Sequence, residues 1–173
     1  MTENTSMRER LDAAIQLREE GRAKQDRVIL GQACTLLLEL SETYPDNAEI
    51  TFQIAVAHDN LGLERESIPY YLRAFAQGLS GPDLERAYLG LGSTYRGLGE
   101  YEKAEETLRQ GVQAFPHNRA LQIFLAMTLY NRQQHKEAME LALLNLLETT
   151  SDEKLQYFKR GLLYYAQHLD ETV

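Results

Sequence analysis

Histidine and cysteine are the residue types in this sequence best suited to nucleophilic or metal chemistry, and the chain has four histidines and one cysteine. His58 and Asp59 are adjacent, as a general base and its orienting carboxylate would be, but neighbouring residues of a helix point about 100° apart. No second histidine lies four residues from His58 to share a metal ion. We therefore expect His58 to be packed or half-buried rather than to act as a base or a ligand.

Cys34 is the second candidate for chemistry, and it lies within an apolar run, residues 33–38. A reactive thiol needs an exposed, electropositive setting, which this run does not offer. The sequence therefore predicts a buried structural thiol at position 34. Because Cys34 is the only cysteine, a disulfide within the chain is excluded.

Two glycine motifs begin like phosphate-binding loops and then depart from them. Gly90-Leu91-Gly92 opens like a dinucleotide fingerprint, but Tyr95 stands where the third glycine is needed and no strand precedes it. Residues 92–97 are not a phosphate loop either, because Leu98 replaces the required lysine. The sequence predicts no catalytic, cofactor-binding or metal-binding residue, and we expect a protein that is not an enzyme.

Composition limits the partners that the chain can have. The formal net charge is −8, which disfavours nucleic acid and anionic membrane surfaces, since both attract clustered lysine and arginine. An apolar content of 43% is typical of a globular domain, and no run approaches the roughly 18 apolar residues that cross a bilayer. The first ten residues are polar and lack the apolar core of a secretion signal. We expect one domain in the cytoplasm.

The glycines and tyrosines that do not fit a nucleotide motif fit a helical repeat. In residues 85–118, small and apolar side chains recur three and four residues apart, which places them on one face of each of two successive helices. The positions are Tyr88, Leu91, Gly92, Tyr95, Ala104, Leu108 and Pro116. Leu98 and Gly99 end the first helix, and Pro116 cannot continue the second. The pattern predicts two helices packed as a hairpin.

This segment resembles one unit of the tetratricopeptide repeat, a helical hairpin of 34 residues that stacks on its neighbours. The same pattern recurs over residues 48–81 and 119–150. The whole chain is similar to small stand-alone bacterial tetratricopeptide proteins, which implies an all-α helical-hairpin solenoid of about three repeats in a single domain. Residues 1–6 are expected to be a frayed tail, residues 7–47 an atypical N-terminal hairpin, and residues 151–170 a capping helix.

Both ends of the chain carry features of helix starts and caps. Ser6 and Glu9 have the spacing of a capping box, which would start the first helix. Thr150 and Glu153 repeat that spacing ahead of the last helix. A stacked array leaves an apolar face at its end, and we expect the last helix to cover it with one seam. The seam residues are Leu155, Phe158, Leu162, Tyr165 and Leu169.

The resemblance implies a protein-interaction module without enzymatic activity or cofactors, with a concave groove lined by the first helix of each repeat. Phe52, Leu89 and Ile123 would form an apolar stripe across this groove, flanked by hydrogen-bonding side chains. This arrangement predicts a site for a peptide or helix of a protein partner. The expected partner-binding residues are Phe52, Val56, Asp59, Asn60, Leu89, Ser93, Arg96, Ile123, Met127, Tyr130 and Asn131.

The apolar stripe is also compatible with burial inside the protein or between two copies of it. The last helix can fill the groove, or the side chains only pack between neighbouring first helices. Alternatively, the protein is a structural homodimer in which self-association buries the groove or the end helix. A further alternative follows from the resemblance, because some tetratricopeptide domains of chaperone-associated proteins clamp a partner's terminal carboxylate. The matching positions are Arg18, Arg22, Gln53, Arg86 and Gly90, of which Gly90 lacks the expected cation.

Overall fold

The computed structural model describes residues 3–172, which form nine α-helices and no strand. The all-α prediction is therefore confirmed for this part of the chain. The helices are α1 (Glu3–Lys24), α2 (Arg27–Thr43), α3 (Ala48–Asn60), α4 (Glu64–Ala76), α5 (Gly81–Gly97), α6 (Tyr101–Ala114), α7 (Arg119–Asn131), α8 (His135–Thr149) and α9 (Glu153–Gln167). No helix within residues 3–172 is both long enough and apolar enough to cross a membrane.

The chain divides into two compact units, which we call the N-terminal unit, Met1–Thr94, and the C-terminal unit, Tyr95–Val173. In the N-terminal unit, α1 packs on α2, α2 on α3, and α3 on α4. In the C-terminal unit, α6 packs on α7, α7 on α8, and α8 on α9. Each of these helices thus packs on the one that follows it, joined by a short turn, as in a chain of helical hairpins.

Asparagine side chains cap the N-terminus of the first helix in two hairpins. Asn47 Oδ1 accepts a hydrogen bond from the Ile50 amide at 3.0 Å, and Asn118 Oδ1 accepts one from the Leu121 amide at 2.9 Å. Such caps satisfy amides that the helix itself leaves unpaired. They account for the asparagine at the end of the sequences Pro45-Asp46-Asn47 and Pro116-His117-Asn118, each of which precedes a first helix.

The N-terminal helix starts earlier than the sequence predicts. Helix α1 begins at Glu3, so Ser6 lies inside the helix and does not cap it. No glycine or proline interrupts residues 3–20, so the sequence allows the helix to extend upstream of Ser6. Met7 packs on the apolar core of the N-terminal unit, which supports the first turns. Met1 and Thr2, the start of the expected frayed tail, lie outside the described residues.

The core of the N-terminal unit joins α1, α2 and α3. Its fully buried members are Leu11, Ala14, Leu37, Ile50, Ile54 and Ala57, together with the nearly buried Leu40 and Cys34. A large apolar side chain buried in this way stabilises the fold by roughly 1.5–3 kcal/mol. This core fixes the face of α3 that is turned away from solvent.

The first helices of the hairpins end in a left-handed residue. Gly62 after α3 has φ of 71°, and Gln133 after α7 has φ of 64°. Glycine adopts this conformation without a steric cost, whereas a residue with a Cβ atom is strained by it. The C-terminal unit therefore forms the same turn as the N-terminal unit with a less suitable residue.

Helix α9 does not have the single covered seam that the sequence predicts. Its N-cap is Asp152, whose carboxylate accepts hydrogen bonds from two amides of the first turn, rather than Thr150. Ala166 is buried, but Phe158 and Tyr165 of the expected seam are exposed. The predicted seam, whose residues are alternately three and four positions apart, includes residues from two faces of the helix. Only one of these faces packs on α8.

Candidate functional site

Phe52 is fully buried in the N-terminal unit and does not form part of an open groove. The guanidinium of Arg86 lies 5.5 Å from the centre of its ring, and the ring of Tyr71 lies 6.1 Å away. This burial does not support Phe52 as a groove-lining residue and agrees with the alternative that the side chain packs between neighbouring helices. The long cationic side chain of Arg86, from α5, lies over the ring and contributes to this burial.

Asp59 is an internal hydrogen-bond acceptor. Tyr71 donates its hydroxyl to one carboxylate oxygen at 2.7 Å, and Thr94 donates to the carboxylate at 3.1 Å. Burial raises the pKa of Asp59, while hydrogen bonds from Ser67, Tyr71 and Thr94 act in the opposite direction. Burial and the neighbouring Asp59 raise the pKa of Tyr71 well above its ordinary value. Asp59 therefore links α3, α4 and α5 instead of facing a ligand.

Asn60 is also engaged within the N-terminal unit. The buried Arg18 donates to Asn60 Oδ1 at 3.3 Å and to Glu19 at 2.8 Å, and burial lowers the pKa of this arginine. Ser93 donates its hydroxyl to the Gly90 carbonyl at 2.9 Å. Val56, Leu89 and Ser93 are half-buried, and so are Asp59 and Asn60. The predicted binding positions of this unit are thus mostly used for packing.

The carboxylate clamp is not formed. Arg18 and Gln53 are buried, and Arg22 donates a hydrogen bond to Glu19. A Cβ atom at Gly90 would clash with the Tyr71 hydroxyl, so glycine is required there and a basic side chain cannot occupy the position. The matching residues therefore do not present three cations to a ligand.

Cys34 and His58 lie near each other without forming a catalytic pair. The thiol sulfur is 3.9 Å from His58 Nδ1, but that nitrogen lies 2.8 Å from the Ile54 carbonyl, to which it must donate. It therefore has no lone pair with which to accept the thiol proton. Burial raises the pKa of Cys34, which disfavours the thiolate. The predictions of a buried thiol and a half-buried histidine are confirmed.

The C-terminal unit contains an open apolar cavity of about 330 Å³, which we call the cleft. It lies between α7 and α8, with the end of α5 at its edge. Four of the predicted binding residues line it, namely Arg96, Ile123, Met127 and Tyr130. The remaining lining residues are Ala126, His135, Ala138, Met139 and Ala142.

Two polar atoms beside the cleft are buried without a hydrogen-bond partner among the described residues. They are Nε of Arg96, a donor, and Oδ1 of Asn131, an acceptor. Asn131 follows Met127 by one helical turn and so lies on the same side of α7. Buried polar groups are normally satisfied, and an unpaired one carries a cost of about 1–3 kcal/mol. Both atoms are shielded from solvent by neighbouring protein atoms, so a ligand seated in the cleft does not reach them.

Aromatic and apolar side chains remain uncovered at the cleft. Tyr130 is exposed, and its ring centre lies 4.9 Å from that of His135. Ile123 and Met139 are also exposed, although α9 packs on α8. Helix α9 therefore does not fill this space.

The contribution of α8 to the cleft was not predicted from the sequence. Ala138 and Ala142 fit the small positions of the repeat pattern, where a neighbouring helix approaches closely. In the structure they line the cleft beside the exposed Met139. The available signal was the pattern of two alanines four residues apart beside a methionine.

The described part of the chain contains no group of three or more histidine, cysteine, aspartate or glutamate side chains that could hold a metal ion. The arrangement in the C-terminal unit is instead that of an apolar surface with a few polar groups at its edge. Such a surface suits the binding of apolar side chains and backbone amides.

Comparison with known proteins identifies the repeat. Residues 48–169 match the family model described as tetratrico peptide repeat. The solved structure of MamA residues 41 to the end from Desulfovibrio magneticus RS-1 is 17% identical, with a TM-score of 0.66 over 91% of this chain and 88% of that one. Another structure, titled MamA protein, is also 17% identical, with a TM-score of 0.67 over 91% and 86% of the two chains.

A third similar structure comes from Podosopora anserina and is described as nearly identical TPR-like repeats of a putative kinesin light chain. It is 20% identical, with a TM-score of 0.69 over 97% of this chain and 88% of that one. At these identities the structures share the fold alone. No curated protein matches the sequence.

Proposed function

Because the chain belongs to the tetratricopeptide repeat family, we propose that it is a non-enzymatic module that binds an apolar peptide or helix of another protein in the cleft. Proteins of this family generally act through protein–protein interaction, and the matched segment covers residues 48–169. The proposal places the binding site in the C-terminal unit alone. Phe52, Asp59 and Asn60 then support the fold instead of contacting the ligand.

The observation that carries the proposal is the open apolar cleft itself. Its volume of about 330 Å³ falls at the lower end of the range of about 300–1,000 Å³ for ligand sites. An exposed apolar patch is a liability in water unless a partner covers it. Met127 and Met139 border the cleft, and their flexible side chains can adapt to different apolar residues. We infer that one large apolar side chain of the ligand inserts here.

Selection from a displayed peptide library tests the proposal directly. The wild-type chain is used for selection, and affinities of the selected peptides are then measured by titration calorimetry for three proteins. Ile123→Glu places a charge in the cleft, and Leu36→Glu on α2 is its matched control. The two side chains are 37% and 39% exposed, so both substitutions should disturb folding equally little.

We expect selected peptides to share one large apolar residue, to bind Ile123→Glu at least about tenfold more weakly, and to bind Leu36→Glu unchanged. A tenfold loss corresponds to about 1.4 kcal/mol, a modest cost for placing a carboxylate against an apolar side chain. Equal affinity for wild type and Ile123→Glu would place the binding site elsewhere. Failure to select any peptide would contradict the proposal.

A further inference from the structure

Helix α9 has a second apolar face, on the side opposite to the one that packs on α8. The packed side holds the buried Ala166 and the half-buried Leu155 and Leu162. The opposite side carries four exposed aromatic side chains, which we call the aromatic face. They are Tyr157, Phe158, Tyr164 and Tyr165, exposed by 83%, 62%, 49% and 54%.

The aromatic face is symmetric about Gly161. Tyr157 and Phe158 precede this glycine by four and three residues, and Tyr164 and Tyr165 follow it by three and four. Residues at these spacings share one side of a helix with the glycine at its centre. The rings form two clusters, since Tyr157 and Phe158 lie 4.9 Å apart and Tyr164 and Tyr165 lie 5.7 Å apart.

We propose that the aromatic face pairs with the same face of a second copy of this chain, with the two α9 helices antiparallel and crossing at Gly161. A two-fold interface requires that each residue before the axis meet its counterpart after the axis on the partner. The aromatic residues around Gly161 meet this requirement. Tyr157 and Phe158 of one copy would face Tyr164 and Tyr165 of the other, and the reverse. The glycine lets the two helix backbones approach closely, as small residues do at helix crossings.

Charge supports the antiparallel orientation. Lys154 lies on the aromatic face, seven residues before Gly161, at the N-terminal end of α9. At the opposite end, the Tyr164 hydroxyl donates to Glu171 at 3.2 Å, which holds a carboxylate beside the face. An antiparallel pair brings Lys154 to the partner's acidic helix end, where a cation is favourable. A parallel pair would place like charges together.

The size of the aromatic face is near the minimum for a specific interface. Aromatic side chains bury about 150–250 Å² each, so four rings with these exposures offer roughly 400–600 Å² per copy. Two copies would bury roughly 800–1,200 Å², and stable interfaces begin near 1,000 Å². We therefore expect a weak, reversible dimer that does not depend on the cleft.

Substitution of Gly161 separates pairing from folding. A Cβ atom at Gly161 meets no atom within 4 Å, so Gly161→Gln fits the free chain and favours the helix, but it separates the two backbones in the pair. Gly31→Gln on α2 is the matched control, because its Cβ also meets no atom within 4 Å. The measurement is light scattering coupled to size exclusion, over a range of protein concentrations, with melting temperature recorded in parallel.

We expect the wild-type chain and the Gly31→Gln variant to dimerise. The Gly161→Gln variant should dimerise at least tenfold more weakly, and its melting temperature should not be lower. A wild-type chain that stays monomeric at 100 μM would overturn the proposal. So would a dimer that Gly161→Gln leaves unchanged, which would place self-association on another surface. Ile123→Glu should leave the dimer intact, so that failure of the cleft and failure of this interface are distinguished.

Cysteine cross-linking tests the orientation, in a Cys34→Ser background. Tyr157→Cys and Tyr165→Cys proteins are mixed and oxidised together. In the antiparallel pair, the cysteine at position 157 meets the one at position 165, so the mixture should form the mixed disulfide well above either single disulfide. Disulfides that form as readily in each protein alone would contradict the antiparallel arrangement.

Discussion

The two units place equivalent repeat positions in opposite environments. Phe52 in the N-terminal unit is fully buried beneath Arg86, whereas Ile123, at the same position of its repeat, is exposed in the cleft. Asp59 is held by hydrogen bonds from two other helices, whereas Tyr130 at the matching position is exposed. The repeat sets the direction of a side chain, and the neighbouring helix decides whether it is covered.

The difference assigns distinct roles to the two units. The N-terminal unit uses arginine, aspartate and tyrosine side chains to connect its own helices. The C-terminal unit leaves the side chains of Ile123, Tyr130 and Met139 exposed along α7 and α8. Substitutions at equivalent positions should therefore affect stability in the first unit and binding in the second.

The largest effect on stability is expected at Phe52. Phe52→Ala removes a fully buried ring and should lower the free energy of unfolding by about 3–5 kcal/mol. Ile123→Ala at the equivalent position should change it by no more than about 1 kcal/mol, because the side chain is exposed. Urea denaturation followed by circular dichroism measures both values. Equal decreases in the free energy of unfolding of the two variants would contradict the proposed difference between the units.

A smaller effect is expected from the loss of one hydroxyl. Tyr71→Phe leaves Asp59 without the donor at 2.7 Å and should lower the free energy of unfolding by about 1–3 kcal/mol. Tyr130→Phe removes a hydroxyl from an exposed side chain and should change stability by less than about 0.5 kcal/mol. Thermal melts of both variants provide the comparison. A Tyr71→Phe protein as stable as wild type would show that the hydrogen bond is unimportant.

A reciprocal exchange at the helix ends should change stability by about 1 kcal/mol in opposite directions. Gln133→Gly removes the backbone strain of a non-glycine residue in the left-handed conformation and should raise the stability. Gly62→Gln introduces the same strain in the N-terminal unit and should lower it. A Cβ atom at Gly62 meets no atom within 4 Å, so the loss would come from the backbone alone. Denaturation midpoints check this, and shifts of the same sign in both variants would contradict it.

The carboxylate of the half-buried Asp59 should make the stability of the protein depend on pH. Its pKa in the folded protein lies above the ordinary value of 3.8 because burial disfavours the charged form. Between these two values the folded state binds more protons than the unfolded state, so this contribution to stability falls as the pH rises. The stability of wild type relative to Asp59→Asn should decrease from about pH 4 upward and then level off. A difference that stays constant over this range would argue against a raised pKa.

The sequence predicted the helical hairpins better than it predicted the exposed surfaces. Tyr88, Leu91 and Ala104 carry a periodicity that depends only on the helix itself, so the fold class followed from them. Coverage of Phe52 depends on Arg86, thirty-four positions away, and no local pattern indicates where that side chain lies. The aromatic face was not predicted for a related reason, because spacing alone does not show which side of a helix is covered. Phe158 and Tyr165 have the spacing of a buried seam, but they are exposed and point away from α8.

Methionine methyl resonances give the most direct test of a cleft restricted to the C-terminal unit. The chain has four methionines, of which Met127 and Met139 line the cleft and Met7 packs on the N-terminal core. The protein is labelled at the methionine methyl groups, and each resonance is assigned by a Met→Leu substitution. Addition of a selected peptide should shift the resonances of Met127 and Met139 and leave that of Met7 unchanged. A bound peptide that shifts Met7 and neither of the other two would contradict the account.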